Sequence, residues 1–142
     1  MATFQVVDEF ANYLGKKRDD LSADTFKAVL TLTAPTKAGT QVLADLTQIA
    51  ATGGYAAVTL TSVTWAETGA GMGIWQFGSA AFSWTASGAD FASARYVAVY
   101  DDTSTNKDVV AFADYGASFT LTNGNTLTVT PGANGIFRMT VS

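Results

Sequence analysis

Four short segments of the chain alternate an apolar residue with Thr or Ser and carry no charge. They are residues 57–61, 82–87, 119–122 and 126–130. Side chains of a strand point alternately to its two faces, so this period predicts strands with an apolar inner face and a hydroxyl-lined outer face. A sheet face in water normally carries Lys and Glu as well. We therefore expect these outer faces to contact other protein as well as water.

The whole chain is poor in charged residues. Of its 142 residues, 48% are hydrophobic and 14% are charged, whereas an average soluble domain has about 25% charged residues. Either Thr, Ser and Asn alone keep the surface hydrated, or neighbouring subunits cover part of it, and we favour the second, a homo-oligomeric assembly. The length suits one domain over residues 1–142, with residues 1–15 as an amino-terminal helix or arm.

The residues that the chain lacks exclude several classes of function. It contains no Cys and no His, so thiol nucleophiles, disulfides and the commonest general base are missing. Its net charge of -4 argues against a nucleic-acid partner, which needs clustered Lys and Arg. No apolar run is long enough for a membrane span, and the start lacks the features of a signal peptide. We expect synthesis in a host cytoplasm and no membrane partner.

Two segments have helical spacing. Residues 5–14 carry apolar side chains at helical intervals and Gly15 follows as a candidate C-cap, which predicts a short helix that covers one end of the core or docks on a partner. The apolar residues concerned are Val7, Phe10 and Leu14. The basic run 16–18 is typical of a solvated turn after a helix. Residues 40–50 predict a second short helix or helical turn.

The rest of the chain predicts strands separated by turns. The predicted strands cover residues 25–33, 58–65, 74–77, 80–86, 95–100, 108–115, 119–122, 126–130 and 136–141. A slip in the alternation near Ser62 suggests a bulge, and Asn123-Gly124 is a strong hairpin signal. Many short strands of this kind predict a mainly β fold, an antiparallel two-sheet β-sandwich, jelly-roll-like, with a short amino-terminal helix.

Two parts of this pattern have a more specific meaning. Residues 95–100 and 108–115 are apolar on both faces, which places this pair of strands mid-sheet or in an interface.

Gly69, Gly71 and Gly73 interrupt the chain at alternate positions, but the strand-to-helix context and the Lys-Ser/Thr pair of a phosphate-binding loop are missing. We interpret them as a mobile loop or a wide hairpin connection.

Glu67 and Asp114 are the candidate pair of catalytic carboxylates, because each lies beside aromatic residues. Hydrolysis by paired carboxylates needs the two groups about 5–10 Å apart. Asp at the end of a strand is more typical of turns, and without His or Cys the usual activated nucleophiles cannot be assembled. We predict no enzyme and no catalytic residues, and keep a divergent glycoside hydrolase using this pair as the catalytic alternative.

Asp101, Asp102, Asn106 and Asp108 crowd one predicted loop and offer oxygen ligands of the kind that calcium prefers. Their spacing does not match an EF-hand, which has a central Gly and a distal Glu. Such residues are also common in turns. We therefore favour a solvated hairpin loop over residues 101–108, and predict no metal and no cofactor.

Three tryptophans could form a platform on which sugar rings stack, namely Trp65, Trp75 and Trp84. Trp84 alternates with hydroxyl residues, which favours a place in the core. Trp75 follows the glycines and is the tryptophan that we expect to be exposed. Glycan binding through Trp75 and the loop 69–73 is kept as an alternative.

Five motifs follow one another along nearly the whole chain: VVDEFANYLGKKRDDLSADTFKAVLTLTAPT, LADLTQIAATGGY, VTLTSVTWAETG, RYVAVYDDTSTNKDVVAFADYG and FTLTNGNTLTVTPGANGIFRMTVS. Together they resemble a group of small structural proteins of tailed bacteriophages. The resemblance implies a capsid-associated β-sandwich, a decoration or cement subunit, although similar sequences include other virion and tail proteins. It implies no catalytic residues.

The resemblance and the composition lead to one expectation about function. We expect a capsid decoration protein that binds the outer surface of the mature head, with the major capsid protein and further copies of itself as partners and the virion as its location. The alternative is a tail or fibre component that recognises host-surface glycans.

Overall fold

The chain folds mainly into antiparallel β-structure, as the alternation predicts. The computed structural model describes residues 3–141. This part of the chain contains one short helix, α1 (Phe10–Gly15), and a 3-10 turn at Leu43–Asp45. The strands are β1 (Phe4–Val6), β2 (Phe26–Thr31), β3 (Val58–Thr59), β4 (Thr64–Glu67), β5 (Ile74–Gly78), β6 (Phe82–Thr85), β7 (Ala94–Asp101), β8 (Val109–Phe119), β9 (Thr126–Val129) and β10 (Phe137–Thr140).

β7 and β8 lie inside a five-stranded sheet whose strand order is β1-β8-β7-β2-β3. All of its strand pairs are antiparallel. Val97, Val99 and Val110 are 0% exposed, so both faces of the central strands are covered. This arrangement confirms the prediction that the two most apolar strands lie mid-sheet.

The other strands form a three-stranded sheet, β10-β5-β4, and a two-stranded pair, β6-β9. Phe26 of β2 packs edge to face against Phe77 of β5, with ring centroids 4.9 Å apart. Phe10 of α1 packs in the same way against Phe137 of β10, at 5.5 Å. Trp84 of β6 joins the same buried cluster. One hydrophobic core therefore contacts all three sheets and the helix.

The amino-terminal segment begins as a strand. Gln5 pairs with Phe112 of β8, and the Val7 N–H donates to the Val110 carbonyl at 3.1 Å. The helix predicted over residues 5–14 is wrong in its first half, because the edge of β8 offers backbone hydrogen bonds that local helical spacing cannot supply. Val7 is nevertheless buried, at 1% exposure.

Lys17, and not Gly15, makes the sharp turn at the end of α1. The Arg18 N–H donates to the Tyr13 carbonyl at 2.9 Å, and the Lys17 N–H donates to the Leu14 carbonyl at 3.1 Å. This is the hydrogen-bond pattern of a Schellman motif, whose turning residue takes a left-handed conformation. Lys17 has φ 55°. The basic run therefore closes the helix and aims Arg18 back toward the body of the protein.

The slip near Ser62 marks a change of sheet. β3 belongs to the five-stranded sheet and β4 to the three-stranded sheet, and Ser62 between them has φ 51°. The bulge predicted here is therefore wrong, because the strand is interrupted and its two halves pair with strands of different sheets.

The helical spacing over residues 40–50 yields a single 3-10 turn, which Asp45 stabilises by accepting hydrogen bonds from two preceding backbone N–H groups.

The hairpin predicted at Asn123-Gly124 is wrong, although a turn forms there. The Asn125 N–H donates to the Thr122 carbonyl at 3.0 Å, and Gly124 has φ 90°. However, β9 pairs with β6 and β8 pairs with β7. Asn123 keeps a negative φ, so the turn is not the type I′ turn that joins the two strands of a tight hairpin.

Candidate interaction surface and buried carboxyl cluster

Trp65 and Trp75 stack on each other across the β4–β5 hairpin. Trp65 is paired with Phe77, and Glu67 is paired with Trp75, so both tryptophans are on one face of the three-stranded sheet. Their ring centroids are 5.7 Å apart and the ring planes differ by 27°. Both side chains are half-buried. Trp75 is therefore less exposed than its glycine neighbours suggest.

The same sheet face changes from core to surface along its length. At one end Phe77 is 0% exposed, and Phe137 lies 5.9 Å from the Trp65 ring. At the other end Met139 is paired with Trp75 and is 43% exposed. The apolar side chains of this face thus continue past the core into solvent, with the exposed Glu67 opposite Trp75.

We call the exposed end of this sheet the Trp75 patch; it consists of Met72, Trp75, Met139 and Val141. Among residues 3–141, five large hydrophobic side chains are exposed, and three of them are in this patch: Met72 at 64%, Met139 at 43% and Val141 at 63%. Exposed apolar side chains that are grouped in this way mark interaction sites more often than isolated ones do.

The glycine-rich segment is the turn that closes the β4–β5 hairpin, which agrees with the wide hairpin connection predicted from the sequence. The Thr68 N–H donates to the Ile74 carbonyl at 2.7 Å, and the Gly73 N–H donates to the Glu67 carboxylate at 3.0 Å. Gly73 has φ 62°, and a Cβ there would lie 3.0 Å from the Val141 carbonyl oxygen. The glycine therefore lets the end of the chain pair closely beside the turn.

The two candidate catalytic carboxylates, Glu67 and Asp114, lie in different sheets. Glu67 lies in the three-stranded sheet, where it holds the glycine turn, and Asp114 lies in the five-stranded sheet. Asp114 accepts two hydrogen bonds from Arg95, at 2.8 and 2.9 Å. This ion pair, together with the Gly116 N–H, lowers the pKa of Asp114. Each carboxylate has a local structural role.

Trp84 belongs to the core, as predicted. It is 3% exposed, and its ring packs against Phe82 with centroids 5.7 Å apart. The indole N–H donates to the Ala56 carbonyl at 2.9 Å. Only two tryptophans of the proposed sugar platform therefore share a surface.

The loop over residues 101–108 is not a solvated loop throughout. Asp101 and Asp108 are both 0% exposed. Asp101 accepts hydrogen bonds from the Thr103 and Ser104 N–H groups at 2.7 and 3.1 Å, which folds the loop back on itself. The prediction of solvation is wrong for these two residues, because the Asp101 carboxyl accepts hydrogen bonds from the loop backbone and the Asp108 carboxyl accepts one from Arg18.

Asp102 remains at the surface of this loop and pairs with two lysines. Its carboxylate lies 2.7 Å from Lys27 Nζ and 3.2 Å from Lys107 Nζ. These hydrogen bonds lower the pKa of Asp102. Asn106 is exposed. Within residues 3–141, no group of three or more His, Cys, Asp or Glu side chains has an arrangement suited to a metal ion.

Asp19 is a third buried acidic residue, which the sequence did not indicate. It is 5% exposed, and its carboxyl faces those of Asp101 and Asp108. Burial and the charges of these two neighbours raise the pKa of Asp19 to about 8. Burial also raises the pKa of Asp101 to about 6, with a contribution from Asp24. Asp19 was missed because it follows the basic run 16–18, which reads as a solvated turn.

Comparisons with known proteins give no relative from which a function could be transferred. No family model matches the chain, and neither the curated proteins nor the solved structures contain a significant match. In residues 3–141, no helix has the length and apolar character needed to cross a bilayer.

Proposed function

We propose that this chain is a non-enzymatic structural protein of a phage virion, a capsid decoration protein that binds the outer surface of the mature head. In this proposal the molecule is a two-sheet, jelly-roll-like β-sandwich, with the Phe26–Phe77 contact between its layers. It is made in the host cytoplasm, and its partners are the major capsid protein and further copies of itself.

The observation that carries the proposal is the Trp75 patch. Met139 and Val141 extend the apolar face of β10 into solvent, beside the stacked Trp65 and Trp75. Aromatic and methionine side chains are enriched where proteins bind one another, whereas charged groups are depleted from the centres of such interfaces. Burying this patch against a shell would remove its apolar area from water, which is the main favourable term in association.

The outer face of the β6–β9 pair offers a second contact of different character. The hydroxyls of Thr85 and Thr126 form a hydrogen bond of 2.8 Å, and Ser83 is paired with Thr128. All four side chains are exposed. A neutral hydroxyl surface of this kind can lie against a neighbouring subunit without leaving a buried charge, which suits side-by-side copies on a lattice.

The mechanism of stabilisation in this proposal is mass action. A subunit that binds the expanded shell, but neither its precursor nor its dissociated parts, stabilises the shell by the free energy of that binding. No catalytic group is required. The effect depends on the free concentration of the subunit and is lost when the patch cannot bind.

The test is to add purified protein to mature heads that lack it, and to measure bound protein and the temperature at which the heads release DNA. The wild-type chain should bind and raise this temperature. The double variant Met139→Ser/Val141→Ser should bind at least about tenfold more weakly, which corresponds to about 1.4 kcal/mol. Leu32→Ser is the matched control, because Leu32 is 50% exposed and lies outside the patch. Wild-type protein that leaves the heads unbound and equally heat-sensitive would refute the proposal.

A second candidate function is a tail or fibre component that recognises host glycans. The observation in its favour is the pair of half-buried tryptophans, Trp65 and Trp75, on one sheet face beside the glycine turn, since aromatic rings at a surface can stack on sugar rings. Trp75→Phe should retain such binding and Trp75→Ala should lose it on a glycan array. An array on which the wild-type chain binds no glycan would remove this candidate.

A further inference from the structure

Three buried aspartates from separate parts of the chain meet beneath the surface. Asp19 follows the turn after α1, Asp101 ends β7, and Asp108 immediately precedes β8. Their exposures are 5%, 0% and 0%. A cleft of about 460 Å³ between α1 and Trp65 reaches the side chain of Asp19, but its two carboxyl oxygens are buried. The carboxyl oxygens of Asp19 are therefore out of contact with solvent, although Asp19 lines a surface cleft.

Four of the six carboxyl oxygens have no hydrogen-bond donor in the part of the chain that the structure describes. They are both oxygens of Asp19, Oδ2 of Asp101 and Oδ2 of Asp108. Asp19 directly follows Arg18, which pairs with Asp108, and the Asp101 N–H donates to the Asp108 carbonyl at 2.8 Å, so the three residues lie side by side and the Asp19 carboxyl faces the other two. Ionised carboxylates only accept hydrogen bonds, so contacts between them are repulsive unless a proton lies between the oxygens.

The surrounding charges do not neutralise the cluster. Arg18 is the one cation that contacts it in the described residues, and it donates to Asp108 Oδ1 at 2.5 Å. The other titratable groups that face it are Tyr13, whose ring lies 4.2 Å from the Arg18 guanidinium, and Asp24, which adjoins Asp101. Further out, Glu9 lies beside Tyr13, and Asp102 is held by Lys27 and Lys107. One positive charge therefore faces several acidic groups.

We propose that Asp19, Asp101 and Asp108 share a bound proton in the folded protein, and that this proton fastens the segment after α1 onto the β7–β8 hairpin. A protonated Asp19 donates to one neighbouring carboxylate, and Arg18 donates to Asp108. When the proton leaves, like charges remain in contact and the fastening weakens. This shared proton is independent of the proposed function, since it concerns the stability of the isolated chain.

The direction of the pH dependence follows from linkage. The pKa of Asp19 is raised to about 8 and that of Asp101 to about 6, from an ordinary value of 3.8. Between about pH 4 and pH 8 the folded chain therefore binds more protons than the unfolded chain. Stability must fall as the pH rises through this window and level off above it. Because the chain has no His, few other side chains titrate between pH 5.5 and 8.5.

The decisive variant is Asp19→Asn, because the amide N–H₂ donates to the neighbouring carboxylates at every pH and cannot be deprotonated. The free energy of unfolding is measured by urea denaturation between pH 5.5 and 8.5. Wild-type stability should fall over this range, and the profile of Asp19→Asn should be flatter. At pH 8.5 the folding equilibrium constant of the variant should exceed that of wild type by about tenfold or more. Asp8→Asn is the control, because Asp8 is exposed and its contact with Lys37 is 3.8 Å long; its profile should follow wild type.

Three results would overturn the proposal. The first is a wild-type stability that does not change between pH 5.5 and 8.5, and the second is an Asp19→Asn variant that is weakened equally at every pH. The third is a rise in wild-type stability at pH 8.5 when Ca²⁺ or Mg²⁺ replaces EDTA, since the cluster would then hold a metal ion. If the variant does not fold, infrared spectra of the wild-type chain decide: a protonated-carboxyl band must be present at pH 6 and disappear by pH 9, and its absence at pH 6 refutes the proposal.

Discussion

Phe26 of the five-stranded sheet meets Phe77 of the three-stranded sheet edge to face, with ring centroids 4.9 Å apart and both side chains 0% exposed. Phe77 also packs against Phe137 within the three-stranded sheet, with ring centroids 5.4 Å apart. Phe77 therefore contacts both the five-stranded sheet and the apolar face of its own sheet. Trp75, two residues before Phe77 on β5, lies on the same sheet face.

Phe77→Ala should destabilise the protein by about 3–5 kcal/mol, because it removes a buried ring and leaves a cavity between the sheets. Urea denaturation followed by tryptophan fluorescence measures the change. Met72→Ala is the control, since Met72 is 64% exposed and its loss should stay within about 0.5 kcal/mol. Equal effects of the two substitutions would contradict the assigned core.

Gly73→Ala should destabilise the protein by about 1–2 kcal/mol. Gly73 has φ 62°, which an L side chain adopts at a cost, and the new Cβ would crowd the Val141 carbonyl oxygen. Gly15→Ala is the matched control: a Cβ there meets no atom within 4 Å, and Ala suits a helix better than Gly. Thermal unfolding of the two variants should therefore shift in opposite directions.

Tyr55→Phe should cost about 1–3 kcal/mol, because it leaves a buried backbone donor without a partner. The Leu30 N–H donates to the Tyr55 hydroxyl at 2.9 Å, and Tyr55 is 8% exposed. Burial raises the pKa of Tyr55 to about 12, so the hydroxyl stays protonated at neutral pH. The control is Tyr115→Phe at an exposed position, for which denaturant unfolding should show little change. A neutral result for Tyr55→Phe would contradict the hydrogen bond.

Arg95→Met should raise the pKa of Asp114, measured by NMR titration of the carboxyl carbon. Arg95 lowers that pKa through its two hydrogen bonds. A lowered folded-state pKa contributes stability above the ordinary value near 3.8, and this contribution is lost as the pH falls through the folded pKa. The variant should therefore be less stable than wild type at pH 7 and approach it near pH 2. Lys37→Met, at a longer and more exposed ion pair, should change neither quantity.

The alternation of apolar and hydroxyl residues was enough to predict most strands and the mid-sheet position of β7 and β8, because burial of both faces leaves a continuous apolar run. The alternation could not predict which strands pair with one another. The strands that flank Asn123-Gly124 pair with distant strands, since a turn signal is local and strand pairing is decided by the whole core.

The candidate sites were predictable to a smaller extent. The core position of Trp84 followed from its alternation, and the Trp75 patch could be expected only in part, because Met139 and Val141 are placed beside Trp75 by the pairing of β10 with β5. The meeting of Asp19 with Asp108 joins segments about 90 residues apart. The spacing of residues along the sequence does not indicate a contact between segments so far apart.

The central claim is that the Trp75 patch binds the shell of a mature phage head, and a cryo-electron microscopy reconstruction of the virion tests it most directly. The account predicts density for this chain on the outer surface of the head, with Met139 and Val141 buried against the capsid. Density confined to the tail or fibres, or a head-bound chain whose patch faces solvent, would contradict it.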